Sequence, residues 1–136
     1  MSDRVHFASH EWVKAATTVL EELVAEHGEA GHTFSVCEIF TDAPSSIASD
    51  GTAAWYFFID GQSVTVSEGE AEGTDVTIRA DYQSALPGAR LVYTPESLAE
   101  LAKQPPPEKP AQVDGDMSKA PPYLIHLHNR MAEVTA

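Results

Sequence analysis

A chain of 136 residues with 43% hydrophobic content is sized for one globular domain, 1–136. Its 21 acids outweigh 8 Lys and Arg, a net charge of −13, and the bases stand singly, so nothing gathers the cations that nucleic acid or an anionic membrane surface requires. The single cysteine excludes an internal disulfide and fits a reducing, cytoplasmic setting; no stretch reads as a signal peptide or approaches the roughly 18 apolar residues of a membrane span.

In chain order, Ser9 to His27 predicts a helix. Ser9 is the N-cap, Glu11 suits the positive end of the dipole, and Trp12, Ala16, Leu20, Leu23 and His27 recur at spacings of three and four before Gly28. Thr33 to Phe40 predicts a strand, and Thr41 to Gly51 a polar loop. Thr52 to Asp60 and Gln62 to Ser67 predict a hairpin, for which Asp60-Gly61 predicts a type I′ turn. After the acidic turn Glu68 to Gly73, Asp75 to Ala80 predicts a fourth strand. Asp81 to Leu86 makes one or two helical turns ended by Pro87-Gly88. Thr94-Pro95-Glu96 opens a helix to about Lys103, which Pro105-Pro106-Pro107 breaks. Ala111 to Asp114 is a short last strand. Pro121-Pro122 then opens a final helix with Leu124, Leu127, His128, Met131 and Val134 on one side, and His126, Asn129 and Arg130 on the wet side. Strands grouped between helices predict an α+β fold, a mainly antiparallel sheet covered by helices.

The segment Ala53 to Ile59 is apolar on both faces of a strand: Trp55, Phe57 and Ile59 on one, Ala54, Tyr56 and Phe58 on the other. Such a strand either lines a ligand cavity with one face and packs on helices with the other, or is plain core on both, and burial alone favours the second. The histidine pairs His6/His10, His27/His32 and His126/His128 match no metal spacing, so no metal is expected. Nucleophile elbows and phosphate loops are absent, and Cys37 in mid-strand reads as a small buried residue. No catalytic residue or cofactor is assigned; Glu38, an acid inside the first strand, is the one carboxyl in line for a raised pKa.

Asp75 to Asp81 resembles the late strand and short helix of the sterol-carrier-protein-2 (SCP2) family, and Val113-Asp114-Gly115-Asp116-Met117 resembles its last strand. The Asp60-Gly61 hairpin stands where that family has its central hairpin, and the order of elements is similar over about residues 9 to 134. The resemblance implies five strands and helices enclosing an apolar tunnel for fatty acyl chains, acyl-CoA or sterols, and carriage rather than catalysis. Two departures stand against it: prolines crowd the C-terminal third, and the family's basic surface is missing.

The expectation is thus a binder or carrier of a hydrophobic small molecule. Its cavity is lined by Trp55, Tyr56, Phe57 and Phe58 together with Leu124, Leu127 and Met131 of the final helix. Arg79, Arg90 and Arg130, if folding gathers them, would receive the phosphates of a CoA ester. The alternatives are a small α+β enzyme acting on a hydrophobic substrate by acid–base chemistry, and an accessory protein of a larger enzyme. A protein partner or a homo-oligomer stays open.

Overall fold

The computed structural model describes residues 4–105 and 110–136. Helix α1 is His10–His27. The Ser9 hydroxyl accepts from the Trp12 amide at 3.2 Å, and the Gly28 amide donates to Val24 O at the other end. Both ends therefore satisfy backbone groups that a helix leaves orphaned. The buried stripe runs Trp12, Ala16, Leu20, Leu23 with Val13, Val19 and Val24 beside it, whereas His27, expected on that stripe, is exposed.

The strands are β1 (Thr33–Thr41), β2 (Ala53–Asp60), β3 (Ser63–Glu68), β4 (Val76–Asp81) and β5 (Gln112–Gly115). They form one sheet in the order β3-β2-β1-β4-β5. Every neighbour is antiparallel except β1 and β4, which run parallel. That parallel register is clamped at its start. Asp75 Oδ2 accepts from the Ser35 amide (2.9 Å) and hydroxyl (3.1 Å), while the Asp75 amide donates to Ser35 Oγ at 2.8 Å. At the far end of β5, Gly115 has φ +109 opposite Val76, and a Cβ there would strike Asp75 O.

Two details correct the reading from sequence. In the β2–β3 hairpin Gly61 has φ +61, while Gln62 is not among the positive-φ residues. That pattern belongs to a type II′ turn, with glycine at the first central position, rather than the expected type I′. Helix α2 runs Tyr82–Arg90 and carries Pro87 inside it instead of stopping at Leu86. Proline removes one N–H, but Asp81 caps the start, Tyr82 is buried in the core, and Leu91 N closes the end on Gly88 O. Tertiary packing outweighs the local breaker signal.

Helix α3 is Pro95–Ala102, opened by a reciprocal capping box between Thr94 and Ser97. The residues after Pro105 in the expected proline break lie outside the described ones. A 3-10 turn at Met117–Lys119 leads to helix α4, Leu124–Val134. Helices α1, α2 and α4 cover one face of the sheet, packing against β3, β4 and β1 and against each other. The covered face carries Val36 and Phe40 of β1, Trp55, Phe57 and Ile59 of β2, and Val76 and Ala80 of β4, all buried. The seam between α1 and α4 is closed by Trp12 Nε1, which donates to Thr135 Oγ1 at 3.0 Å, while that hydroxyl donates to Met131 O at 2.6 Å.

Candidate functional site

Between the covered face of the sheet and helices α2 and α4 lies a cavity of about 340 Å³. Its floor follows from strand alternation: Val36, Glu38 and Phe40 come from β1, Trp55 and Phe57 from β2, Ile78 and Ala80 from β4. Small residues of α2, Ala85, Gly88 and Ala89, leave room at one wall. Leu124, Leu127, His128 and Met131 of α4 form the other, one stripe of a 3.6-period helix. Phe7 and Trp12 close one side, and Tyr93, Ala111 and Met117 complete the lining.

Of the residues expected from sequence, Trp55, Phe57, Leu124, Leu127 and Met131 meet in this space. Tyr56 and Phe58 do not: alternation turns them to the opposite face of the sheet, where their rings meet edge to face at 5.7 Å and Phe58 is 38% exposed. The cavity and the helices thus share one face of β2, whereas the reading from sequence assigned one face to each.

Glu38 is the charged group of the cavity. Its Oε1 accepts from Trp55 Nε1 at 2.8 Å, the cross-strand neighbour in register. Burial among apolar groups penalises the carboxylate more than this hydrogen bond favours it, and the pKa rises from 4.5 to about 7. A carboxyl of that kind changes charge near neutral pH, as the sequence position within β1 led one to expect. His128 stacks on Tyr93 at 3.9 Å between ring centroids, and its Nε2 lies 2.8 Å from Leu91 O. Burial lowers its pKa and so favours neutral imidazole, while the hydrogen bond to Leu91 O pulls the other way. Asn129, expected on the wet face, is instead half-buried. It accepts from the Tyr93 amide (2.7 Å) and donates to Tyr93 O (3.2 Å), holding the segment after α2 against α4. Tyr93 and Asn129 were missed because both act through this contact between distant segments, for which local spacing gives no signal.

A second hollow, about 510 Å³, is lined by His27, His32, His126, Tyr123, Lys119 and their neighbours near the end of α1. It is larger but wetter, and its polar walls suit a solvated groove. Among the described residues no group of three or more His, Cys, Asp or Glu is placed to hold a metal. The three arginines weighed for a phosphate site are engaged apart: Arg130 pairs with Glu22 at 2.6 Å, Arg90 donates to Ala136 O, and Arg79 lies on the sheet face away from the cavity. Cys37 is fully buried, and no described helix is long and apolar enough to cross a membrane.

No family model and no curated protein matches the sequence. Solved structures do. A crystal structure of sterol carrier protein 2 is 15% identical, covers 96% of this chain and 100% of its own, and superposes with a TM-score of 0.52. A solution structure of a conserved hypothetical protein from Thermus thermophilus, described as a candidate sterol carrier protein, is 16% identical over 97% of this chain and 96% of its own, with a TM-score of 0.45. The chain has the fold of sterol carrier protein 2: α+β, five strands mostly antiparallel, covered by helices.

Proposed function

We propose that this protein binds and carries a hydrophobic small molecule in the cavity between the sheet and helices α2 and α4. The observation that carries the reading is the cavity's composition. Roughly 340 Å³ of space is walled mainly by aliphatic and aromatic side chains, with Glu38, His128 and Tyr93 among its few polar groups. That is the usual form of a small-molecule site: apolar walls and a few placed polar groups. A plain core would fill such space at close-packed density. The fold shared with sterol carrier protein 2 lends further support.

Trp12 and Trp55, the chain's two tryptophans, both line the cavity. A fluorescent fatty-acid or sterol analogue should therefore quench tryptophan emission saturably at micromolar concentration. Absence of quenching with every apolar probe, together with unchanged thermal stability, would overturn the reading. Neither nucleic acid nor anionic vesicles belong among the partners on this reading, since two of the arginines are tied up locally and the net charge is −13. Vesicle sedimentation at low salt checks that: salt-sensitive retention of the protein would contradict it.

Glu38 favours a second reading, acid–base catalysis on an apolar substrate, because a carboxyl near pKa 7 is suited to proton transfer at neutral pH. Proton exchange at an activated C–H of a bound apolar ketone, followed by NMR and abolished in Glu38→Gln, would support it. Exchange equal in both proteins would exclude it.

A further inference from the structure

The fold alone does not say what head group the cavity accepts; its electrostatics do. Six aromatic rings surround the space: Phe7, Trp12, Phe40, Trp55, Phe57 and Tyr93. Among the described residues no lysine or arginine is in the lining. Among those residues Glu38 contributes the one carboxylate. Its Oε1 is engaged by Trp55, while Oε2 accepts no hydrogen bond among the described residues, yet it is not among the sealed and unpartnered polar atoms. The space that it reaches is the cavity. Among the described residues, the other titratable groups that face Glu38 across the cavity are His128 on α4 and Tyr93 before α3; β2, β4 and α2 present none there. His128 is spent on Leu91 O.

We propose that the cavity takes an apolar amine, whose ammonium pairs with the open Glu38 oxygen among the aromatic rings while its hydrocarbon body fills the space beneath α2 and α4. This rests on the reading of the cavity as a ligand site and names its ligand class. Three physical points lead to it. An ionised carboxyl with one hydrogen bond in apolar surroundings is undercompensated, and an entering cation supplies the missing charge. Ring faces attract the same cation through their quadrupoles. An anionic head, whether carboxylate or phosphate ester, meets the Glu38 carboxylate and, among the described residues of the lining, no lysine or arginine to offset it. A neutral alcohol gains a hydrogen bond but no charge compensation. The raised pKa of Glu38 agrees with this picture, because its largest cause is burial, which leaves the carboxylate poorly solvated.

The test uses the full chain and three probes of equal length, n-decylamine, n-decanol and n-decanoate, each below its micelle threshold, followed by tryptophan emission and calorimetry. At about pH 8, where Glu38 is ionised and the amine is charged, decylamine should bind at least about tenfold more tightly than decanoate and more tightly than decanol. Glu38→Gln keeps an acceptor for Trp55 Nε1; it should weaken decylamine about tenfold and leave decanol within about threefold. In the wild type, acidification through about pH 7 should weaken decylamine as Glu38 protonates. The pH series needs no variant and decides the matter if Glu38→Gln fails to fold. Equal or tighter binding of decanol and decanoate, or an amine affinity indifferent to both pH and Glu38→Gln, overturns the amine assignment and leaves the hydrophobic-ligand reading standing. Failure of all three probes overturns both.

Discussion

The two faces of strand β2 start from nearly the same chemistry and end in different places. Trp55, Phe57 and Ile59 are buried to 2–3% exposure, whereas Tyr56 is only half-buried and Phe58 is 38% exposed. The difference does not lie in hydrophobicity but in what covers each face: Trp12 of α1 packs edge to face on Trp55, and α2 and α4 lie across the cavity on that same side. Position within the sheet adds a second gradient. Cys37 and Ile39 of β1 share the outer face with Tyr56 and Phe58, yet both are buried: β1 is the middle strand of the five, whereas β2 stands one place from the edge. Aromatic content therefore marks a strand as able to be buried on both sides; helix placement decides which side forms a site.

The sharpest way to break this contrast is to truncate one ring on each face. Trp55→Ala should lose about 3–5 kcal/mol of unfolding free energy, since it empties a buried site and strips Glu38 Oε1 of its donor. Urea denaturation measures it, and a loss below that of Phe58→Ala would invert the assignment of faces. The covered face should also carry a pH dependence. Glu38 binds its proton more tightly folded than unfolded, so its contribution is fully present below pH 4.5 and is lost as pH rises through about 7. That loss amounts to at most about 3 kcal/mol. Glu38→Gln should therefore match the wild type near pH 4.5 and exceed its stability at pH 8. Protonation of His128 is unfavourable in the fold and lowers stability in the opposite direction, as pH falls below its ordinary range. It is common to both proteins and cancels in their difference.

A smaller effect is expected at the edge of the cavity. Asn129→Ala removes both bonds to the Tyr93 backbone and should cost about 1–3 kcal/mol. Amide exchange at Tyr93 should speed up more than at any strand residue; uniform acceleration would mean a global loss instead. On the outer face, Phe58→Ala should cost less than about 1 kcal/mol, the scale of its edge-to-face contact with Tyr56.

Legibility followed the range of the interactions involved. Helix α1, its Ser9 cap and the alternation of β2 are written in neighbouring residues, and they were readable. Glu38 was readable for the same reason, as the one charge among the apolar inward positions of β1. The parallel pairing of β1 with β4 was not, because its clamp joins Ser35 to Asp75 across 40 positions. The choice between Trp55 with Phe57 and Tyr56 with Phe58 was open for a similar reason: nothing local says over which face three helices will close. Pro87 misled because its breaker signal is local while the packing that holds α2 together is not.

The strand order has a consequence for how the chain reaches this state. β3, β2 and β1 form an antiparallel meander with β1 last in space but first in sequence, so these three can zip from the tight Gly61 turn outward. β4 must then find the free edge of β1 after the whole excursion through β2 and β3, closing a loop between Thr41 and Val76 before any parallel bond forms. Closure entropy of that loop is spent ahead of the contacts that offset it, which slows the search. The floor of the cavity spans this late seam, with Glu38 paired to Ile78. The cavity thus has a complete floor only once β4 has paired with β1, and a nascent chain interrupted before β4 would expose that apolar floor to any neighbour able to cover it.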